Sequence, residues 1–311
     1  MAVKAFASTH IPQITATAGL VTFALAKHKL TPGGIVAAIL TAFVHMLHPW
    51  PVFFWLLVTF FLGGVVVTKV GHARKAHLTQ SSTGSTGGEG ARNWVQVLAN
   101  SLGASVLILI HAWLLRNSTP FISSIVPGTS AGPYLPALEK TLPVGIMAYY
   151  AAAAADTFSS ELGILSTATP FMVTAPWKKV PRGTNGGVTT DGLSAGALGG
   201  WLIAMVATYG VSALPPHREL SFWLPGFVTI AGLFGSILDS VLGALLQETV
   251  TDQGTGKVVE GVSGKRVAIL EGGTRIKVGN NLLSNNGVNF AMAIGTSLFA
   301  MLAFHLGGFQ I

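Results

Sequence analysis

Residues 51–70 read PVFFWLLVTFFLGGVVVTKV, an apolar run whose single charged residue is Lys69. A helix needs about 20 such residues to cross the hydrocarbon core of a bilayer. Lipid offers no hydrogen bonds to the backbone, so a run of this kind must form a helix or a strand of a closed barrel. The alternation of apolar and polar residues typical of barrel strands is absent. The segment therefore predicts a transmembrane helix.

The rest of the chain extends this prediction to an all-α fold, a polytopic membrane helix bundle in one domain, 1–311. Half of the residues are apolar, 9% are charged and the mean hydropathy is +0.60, whereas soluble domains carry about 25% charged residues. About eight transmembrane helices are expected, at 11–26, 32–49, 51–70, 94–115, 143–165, 188–211, 223–247 and 288–308. An alternative for the first of them is a cleaved signal peptide, because Ala24-Leu25-Ala26 resembles a cleavage site.

The basic residues predict the orientation. With eight spans, fourteen Lys and Arg residues fall in the odd-numbered loops and their flanks, and four fall at the N-terminus and in the even loops. The positive-inside bias places the odd loops in the cytosol and both termini on the non-cytosolic side. The net charge of +7 is then explained without nucleic-acid binding.

Two polar segments stand out between the spans. The loop at 71–92 has a flexible, Ser- and Gly-rich composition, and the segment at 248–287 is interpreted as a small cytosolic insert of unassigned role. Short strands are expected in the insert around Val258–Val262 and Arg266–Leu270. Cysteine is absent, which excludes disulfides and thiolate metal sites. His45, His111 and His305 lie singly on apolar faces, and no histidine pair has metal-ligand spacing.

Acidic residues inside membrane spans are costly, and they usually have a function. Asp156 and Glu161 lie in the fifth predicted span, and Asp239 lies in the seventh. Mg²⁺ commonly takes one or two protein carboxylates and completes its octahedron with water and phosphate oxygens. We therefore predict a Mg²⁺ site, with Asp156, Glu161 and Asp239 as catalytic and metal-binding residues. The alternative is that each carboxylate is hydrogen-bonded to a neighbouring helix.

A glycine-rich loop precedes the sixth predicted span. Glycines let backbone N–H groups converge on an anion, and a helix N-terminus adds positive potential. The loop is therefore a candidate phosphate site, although a flexible turn with ordinary positive-inside charge would have the same composition. The predicted nucleotide- or phosphate-binding residues are Lys75, Arg92, Gln96, Asn100, Ser159, Ser160, Arg182, Gly183, Thr184, Asn185, Gly186, Gly187, Ser240, Asn285, Asn286 and Asn289.

Spacing groups several of these residues. Arg92, Gln96 and Asn100 recur every fourth residue and would share one helix face. Ser159 and Ser160 would lie on the face of Asp156. Asn285 and Asn286 could serve only as helix caps, whereas Asn289 lies one turn further along.

Five motifs together resemble one family. They are QVLANSLGA at 96–104, ADTFSSELG at 155–163, PRGTNGGVT at 181–189, GSILDSVLGA at 235–244 and LLSNNGVN at 282–289. They resemble the integral membrane family of transmembrane protein 19 and the plant phytyl-phosphate kinase, from about Lys75 to Phe290.

The resemblance implies an enzyme that phosphorylates an isoprenoid monophosphate to the diphosphate, with a nucleoside triphosphate as donor and CTP favoured. It implies that the three carboxylates hold Mg²⁺ and that Asn185-Gly186-Gly187 holds triphosphate oxygens. Asn100 and Asn289 would orient the nucleotide or the acceptor phosphate.

Two other functions remain open from the sequence alone. One is a transporter or channel lined by the intramembrane Asp and Asn residues, and the other is a cytidylyltransferase that forms a CDP-lipid. No transit peptide precedes the first span, so the endoplasmic reticulum or another endomembrane is expected rather than a plastid. The oligomeric state is not predicted.

Overall fold

A computed structural model describes residues 2–81, 90–117, 136–214, 222–261, 267, 269 and 273–309. The fold is mostly helical, as expected for the all-α class. The helices are α1 (Ala2–Thr9), α2 (Ile11–Ala26), α3 (Pro32–Met46), α4 (Val52–Lys69), α5 (His72–Lys75), α6 (Trp94–Ala99), α7 (Leu102–Asn117), α8 (Pro136–Gly163), α9 (Thr190–Ser212), α10 (Trp223–Leu246) and α11 (Asn285–Leu306).

Four of the described helices, α4, α9, α10 and α11, are long and apolar enough to cross a membrane. Helices α2, α3 and α7 are apolar but shorter. Every predicted span therefore coincides with helical structure, and the chain is a multi-pass membrane protein. The count of eight crossings and their orientation remain predictions.

Helix α8 forms the centre of the bundle. It contacts α4, α7, α9, α10 and α11, and its side chains from Val144 to Ala155 are almost completely buried. Alanines make up much of this stretch, so neighbouring helices approach the α8 backbone closely. Because α8 is surrounded by protein, it needs less hydrophobicity than a helix that faces lipid.

Glycines on α9 and α10 make this close approach possible. A Cβ atom at Gly196 would lie 3.1 Å from the Ala155 carbonyl oxygen on α8, and one at Gly200 would lie 3.4 Å from the Gly232 Cα atom on α10. Small residues at four-residue spacing are typical of tightly packed membrane helices. The helices around the site are consequently fixed by backbone contact.

The predicted span at 94–115 is divided into two helices. Asn93 has an extended backbone and caps α6 in a reciprocal pair of hydrogen bonds with Gln96, so the helix begins after Arg92. Asn100 ends α6, and α7 begins at Leu102. The predicted continuous stripe of Arg92, Gln96 and Asn100 is therefore wrong in its local geometry. Arg92 instead forms a parallel bridge with Leu30.

Two buried histidines, His48 and His111, form a pair that the sequence analysis did not predict. The His48 Nε2 and His111 Nδ1 atoms lie 2.8 Å apart, and His48 Nδ1 accepts a hydrogen bond from the Trp50 backbone N–H. The His45 ring bonds to the Thr41 carbonyl and the Tyr150 hydroxyl. His111 is therefore not an isolated side chain, because the α3–α4 connection supplies its partner.

Short strands lie at the end of the bundle where α4, α8 and α10 finish. The antiparallel sheet β3-β2-β4 follows α8, β1 pairs in parallel with β6, and β5 pairs antiparallel with β7. Their bounds are β1 Gln80–Ser81, β2 Phe171–Met172, β3 Ala175–Lys179, β4 Gly187–Val188, β5 Thr249–Asp252, β6 Val259–Glu260 and β7 Arg275–Val278.

Both predicted polar segments contain regular structure. The loop at 71–92 includes α5 and β1, while its residues 82–89 lie outside the described part of the chain. In the insert, β6 covers Val259–Glu260 of the strand expected around Val258–Val262, and Val262 lies outside the described residues. Most of the second expected strand, Arg266–Leu270, lies outside the described residues, and β7 begins at Arg275. The β1–β6 pairing joins the two segments.

Gly232→Ala tests the backbone contact between the helices. A Cβ atom at this position would lie 2.9 Å from the Ala151 carbonyl oxygen and 3.0 Å from the Gly200 Cα atom. Backbone atoms cannot move aside as a flexible side chain can, so we expect a loss of about 1–3 kcal/mol in the free energy of unfolding. Gly226→Ala, on the same helix, is the control because its Cβ would meet nothing within 4 Å. Equal stability of the two variants in detergent micelles would contradict the packing argument.

Asp252 predicts a pH dependence for the insert. Its carboxylate accepts hydrogen bonds from the Thr274 hydroxyl and from the Thr255 and Gly254 backbone N–H groups, which lower the pKa of Asp252. A lowered pKa contributes stability above the unfolded-state value of about 3.9 and loses it as the pH falls through the folded-state pKa. We expect the unfolding temperature of the wild type to fall more steeply below about pH 4 than that of Asp252→Asn. Parallel curves would contradict this assignment.

Candidate functional site

A cavity of about 460 Å³ lies where α4, α8 and α10 end and where α9 and α11 begin. Its size is typical of small-ligand sites. All the residues predicted for the site line this one cavity, although they come from separate parts of the chain. They are Lys75, Arg92, Gln96, Asn100, Asp156, Ser159, Ser160, Glu161, Arg182, Gly183, Thr184, Asn185, Gly186, Gly187, Asp239, Ser240, Asn285, Asn286 and Asn289.

Helix packing brings Asp156 and Asp239 to the same part of the cavity. Gly235 of α10 packs directly against Ala152 of α8. Each aspartate lies four residues beyond that contact, which is about one helical turn. The two carboxyl groups are consequently close enough to interact electrostatically. The glycine at 235 is needed because a side chain there would collide with Ala152.

Asp239 has an unsatisfied carboxylate oxygen. Its Oδ2 atom is buried and has no hydrogen-bond partner within the described residues. Burying a charged oxygen without a partner costs free energy, and such groups usually pair or bind a cation. Two neighbouring carboxylates with an unsatisfied oxygen form a donor set suited to Mg²⁺, which commonly takes one or two protein carboxylates.

Lys75 has a different role from the predicted phosphate contact. Its ammonium group donates to the Val67 carbonyl at 2.8 Å, the Thr68 carbonyl at 3.3 Å and Glu161 Oε2 at 2.5 Å. These bonds use all three N–H donors of a lysine. Lys75 therefore holds the C-terminal end of α4 and pairs with α8, so the structure does not support a direct contact with phosphate.

Glu161 is separated from the aspartate pair. It lies five residues after Asp156, about 140° around the helix. Its carboxylate contacts Lys75 and accepts a hydrogen bond from the Thr68 hydroxyl at 3.2 Å. Within the described residues, no group of three or more His, Asp or Glu side chains is arranged to hold a metal ion. Glu161 therefore has protein partners of its own, and its role as a metal ligand beside Asp156 and Asp239 stays a prediction.

The glycine-rich loop is fixed against α10 and the insert. Gly183 and Gly186 have positive φ angles of 82° and 79°, a conformation that favours glycine. Gly186 also packs against Ala244 and the Ser240 carbonyl, where a Cβ atom would not fit. The loop therefore lies beside Asp239, because Gly186 contacts the residues of α10 that follow it.

Several amides of this loop are already bonded within the protein. The Asn185 N–H donates to the Thr249 hydroxyl at 3.1 Å, and its side-chain amide donates to the Glu248 carbonyl at 2.9 Å. The Gly187 N–H donates to the Thr184 carbonyl at 2.9 Å. The Asn185 and Gly187 backbone N–H groups are therefore already bonded, and the use of Asn185-Gly186-Gly187 for triphosphate oxygens stays a prediction. Arg182, which donates to the Thr167 carbonyl at 3.2 Å, is the cation that the loop brings to the cavity.

Asparagines and a glutamine from α6 and α11 also line the cavity. Asn100 donates its side-chain N–H to the Gln96 carbonyl at 3.0 Å. On α11 the cap is Ser284, whose hydroxyl accepts from the Gly287 N–H. Asn285 and Asn286 are therefore not the caps, and both line the cavity beside the positive end of α11.

The insert supplies residues that the sequence analysis missed. Val250, Val258 and Val259 are buried and line the cavity, together with Glu248 and Thr249. Alternating apolar residues predicted a strand near Val258, but only the three-dimensional pairing shows that the strand packs over the glycine-rich loop. Thr189, the cap of α9, was likewise missed.

The fold and the cavity together define a multi-pass α-helical membrane protein with a polar site at one end of its bundle. The chain belongs to the integral membrane protein family DUF92, whose model matches residues 15–297. This match confirms the family indicated by the motifs.

Relatives come from plants, archaea and cyanobacteria. Protein PGR of Arabidopsis thaliana is 35% identical over 252 residues, which cover 80% of this chain and 80% of that protein. An uncharacterized membrane protein of Methanocaldococcus jannaschii is 32% identical over 62% of this chain and 64% of its own length. The chloroplastic protein VTE6 of Arabidopsis thaliana is 27% identical over 36% of this chain and 31% of its length. No solved structure matches the chain.

Glu161→Gln distinguishes the observed ion pair from the predicted metal ligand. The side chains of Lys75 and Glu161 are 10% and 16% exposed, and loss of one partner of a buried pair costs roughly 3–5 kcal/mol. We expect a destabilisation at the lower end of that range, measured by unfolding in detergent without Mg²⁺. The double variant Lys75→Met/Glu161→Gln should recover part of it, because no unpaired ammonium remains. If Glu161→Gln leaves the stability unchanged but weakens Mg²⁺ binding, Glu161 is a metal ligand as predicted from the sequence.

Proposed function

We propose that the protein is a membrane lipid kinase that transfers a phosphoryl group from a nucleoside triphosphate, with CTP favoured, to an isoprenoid monophosphate. The observation that carries the proposal is the unsatisfied buried oxygen of Asp239, beside Asp156, in a polar cavity that also contains Arg92 and Arg182. The resemblance of five motifs to the phytyl-phosphate kinase family supports the substrate class.

Phosphoryl transfer depends mainly on positioning and on stabilising negative charge, and little covalent help from the protein is required. Asp156 and Asp239 would hold Mg²⁺, which would neutralise negative charge on the phosphate groups. Arg92 and Arg182 would bind non-bridging oxygens from two sides of the cavity. The acceptor phosphate is already ionised, so no general base is needed to activate it.

The asparagine wall suits the orientation of the substrates. Carboxamides of Asn100, Asn285, Asn286 and Asn289 offer both donors and acceptors, and none of them adds a charge that would repel phosphate. The N-terminus of α11 contributes positive potential on the same side. These residues would orient the nucleotide and the acceptor without taking part in proton transfer.

The orientation of the chain would place this chemistry in the cytosol. The strands and the glycine-rich loop belong to the predicted odd-numbered, positively charged loops, so the cavity end would be cytosolic and both termini non-cytosolic. A nucleoside triphosphate is available on that side. An endomembrane such as the endoplasmic reticulum is the proposed location.

A transporter is less well supported by the interior of the bundle. Beyond Asp239, towards the opposite end, Val144, Ala148, Ala231, Ala300 and Phe304 form a buried apolar cluster. This cluster interrupts a polar route through α8, α10 and α11. The arrangement of polar residues at one end favours an enzyme.

Asp156→Asn and Asp239→Asn test the metal assignment. We expect each to lower phosphotransfer by at least about a hundredfold, the scale of a lost transition-state electrostatic contact. Asp239→Asn should also leave the apo protein equally or more stable, because the repulsion with Asp156 is removed. Glu139→Gln, on the same helix as Asp156 but outside the cavity, is the control. Wild-type rates in both aspartate variants would refute the proposal.

The products of the wild-type reaction separate the candidate functions. Purified protein is incubated with labelled CTP, Mg²⁺ and a panel of prenyl monophosphates. Label in a lipid diphosphate with release of CDP is expected for the kinase. Release of pyrophosphate with a CDP-lipid would identify a cytidylyltransferase, and flux into liposomes without turnover would identify a transporter.

A further inference from the structure

Helix α6 is a thin wall between the cavity and the outer surface of the bundle. It contains six residues. Gln96 and the capping residue Asn100 line the cavity, whereas Trp94 and Val95 are 56% and 37% exposed on the other side. Polar and apolar surfaces are therefore separated here by the thickness of a single short helix.

Helix α11 also passes from a polar residue in the cavity to an exposed apolar residue at the point where it meets α6. Asn289 lines the cavity, and the next residue, Phe290, is 38% exposed. Helices α6 and α11 contact each other. We call this junction, defined by Val95 and Gln96 on α6 and by Asn289 and Phe290 on α11, the α6–α11 seam.

The other walls of the cavity are closed more firmly. Gly192 of α9 packs against Gly163 of α8, both in the cavity lining, and Gly186 packs against α10. On the α4 side, the Lys75–Glu161 ion pair and Arg92 are charged, which makes that side unsuited to a hydrocarbon chain. The α6–α11 seam combines an apolar outer surface with an uncharged polar inner surface.

Helix α6 is a short helix with its own cap, which separates it from α7. Asn100 ends α6 and Leu102 begins α7, and the Ser101 hydroxyl between them donates to the Val97 carbonyl at 2.8 Å. Its capping box is formed by Asn93 and Gln96, both belonging to the α6 segment. The Tyr149 hydroxyl of α8 donates to the Ala99 carbonyl at 3.2 Å, so α6 is a short, separately capped helix held against the bundle.

We propose that the α6–α11 seam is the lipid entrance of the site, through which the hydrocarbon tail of the substrate reaches the bilayer. The phosphate would lie inside, near Asn100 and Asn289, and the tail would leave between Val95 and Phe290. This inference rests on the proposed function, because it takes an isoprenoid phosphate as the amphiphile. An amphiphile needs such a junction, since its head is soluble in the cavity and its tail in lipid.

Photolabelling locates the tail without requiring turnover. The protein in nanodiscs is incubated with a prenyl monophosphate that carries a diazirine on the isoprene unit nearest the phosphate, then irradiated and digested. We expect labelled peptides from residues 94–102 and 287–294. Labelling concentrated on α4, α9 or α10 would overturn the proposal. A non-photoreactive prenyl phosphate in excess is the competition control.

Blocking the seam tests its role in catalysis. The chain has no native cysteine, so Val95→Cys or Phe290→Cys can be alkylated selectively with a bulky maleimide. We expect the KM for a long-chain prenyl phosphate to rise roughly tenfold, equivalent to about 1.4 kcal/mol. The KM for the nucleotide and the turnover of a water-soluble five-carbon prenyl phosphate should not change. Ile230→Cys on α10, where the side chain is 69% exposed, is the matched control.

The outcomes separate the two proposals. An equal effect on long and short acceptors, or no effect at either seam position, would overturn the lipid entrance. If the wild type transfers phosphate to neither acceptor, the proposed kinase function fails. The photolabelling pattern then still decides whether a lipid phosphate enters at the seam.

Discussion

The structure depends on backbone contact between α8 and its neighbours. Alanines on α8 and glycines on α9 and α10 remove the side chains that would keep these helices apart, as at Gly196 and Gly232. Inside a membrane, where lipid is as apolar as the side chains, van der Waals contact contributes much of the association of helices. The same contacts fix Asp156 against Asp239, because each aspartate lies one turn beyond the packed pair Ala152 and Gly235.

The sequence was sufficient for much of this arrangement. Hydrophobic runs located the helices to within a few residues in most cases, since length and apolar content are what a bilayer requires. The cost of charge in a membrane singled out Asp156 and Asp239. Because these constraints act on each residue locally, they can be read without knowing the tertiary structure.

The sequence pattern did not predict which polar residues contact each other in the folded protein. Nothing in the local pattern shows that Lys75 meets Glu161 and the end of α4, or that Asn185 bonds to the insert. These contacts join residues far apart in sequence, and a basic or amide side chain suits phosphate as well as protein. The break in the span at 94–115 was missed for a related reason: Asn93 and Asn100 occupy helix ends, but the surrounding residues are apolar enough to continue the helix.

The glycine-rich loop and Asp239 belong to one fixed unit, because Gly186 is docked on α10, whereas the wall formed by α6 is a separate short segment. The aspartates with the glycine-rich loop and the entrance for the tail thereby belong to different parts of the molecule. Such a site recognises the chemistry of the polar head group. It has no surface that selects for the length of the hydrocarbon tail. Selectivity among homologous lipids of different length would then depend on which of them the surrounding bilayer holds.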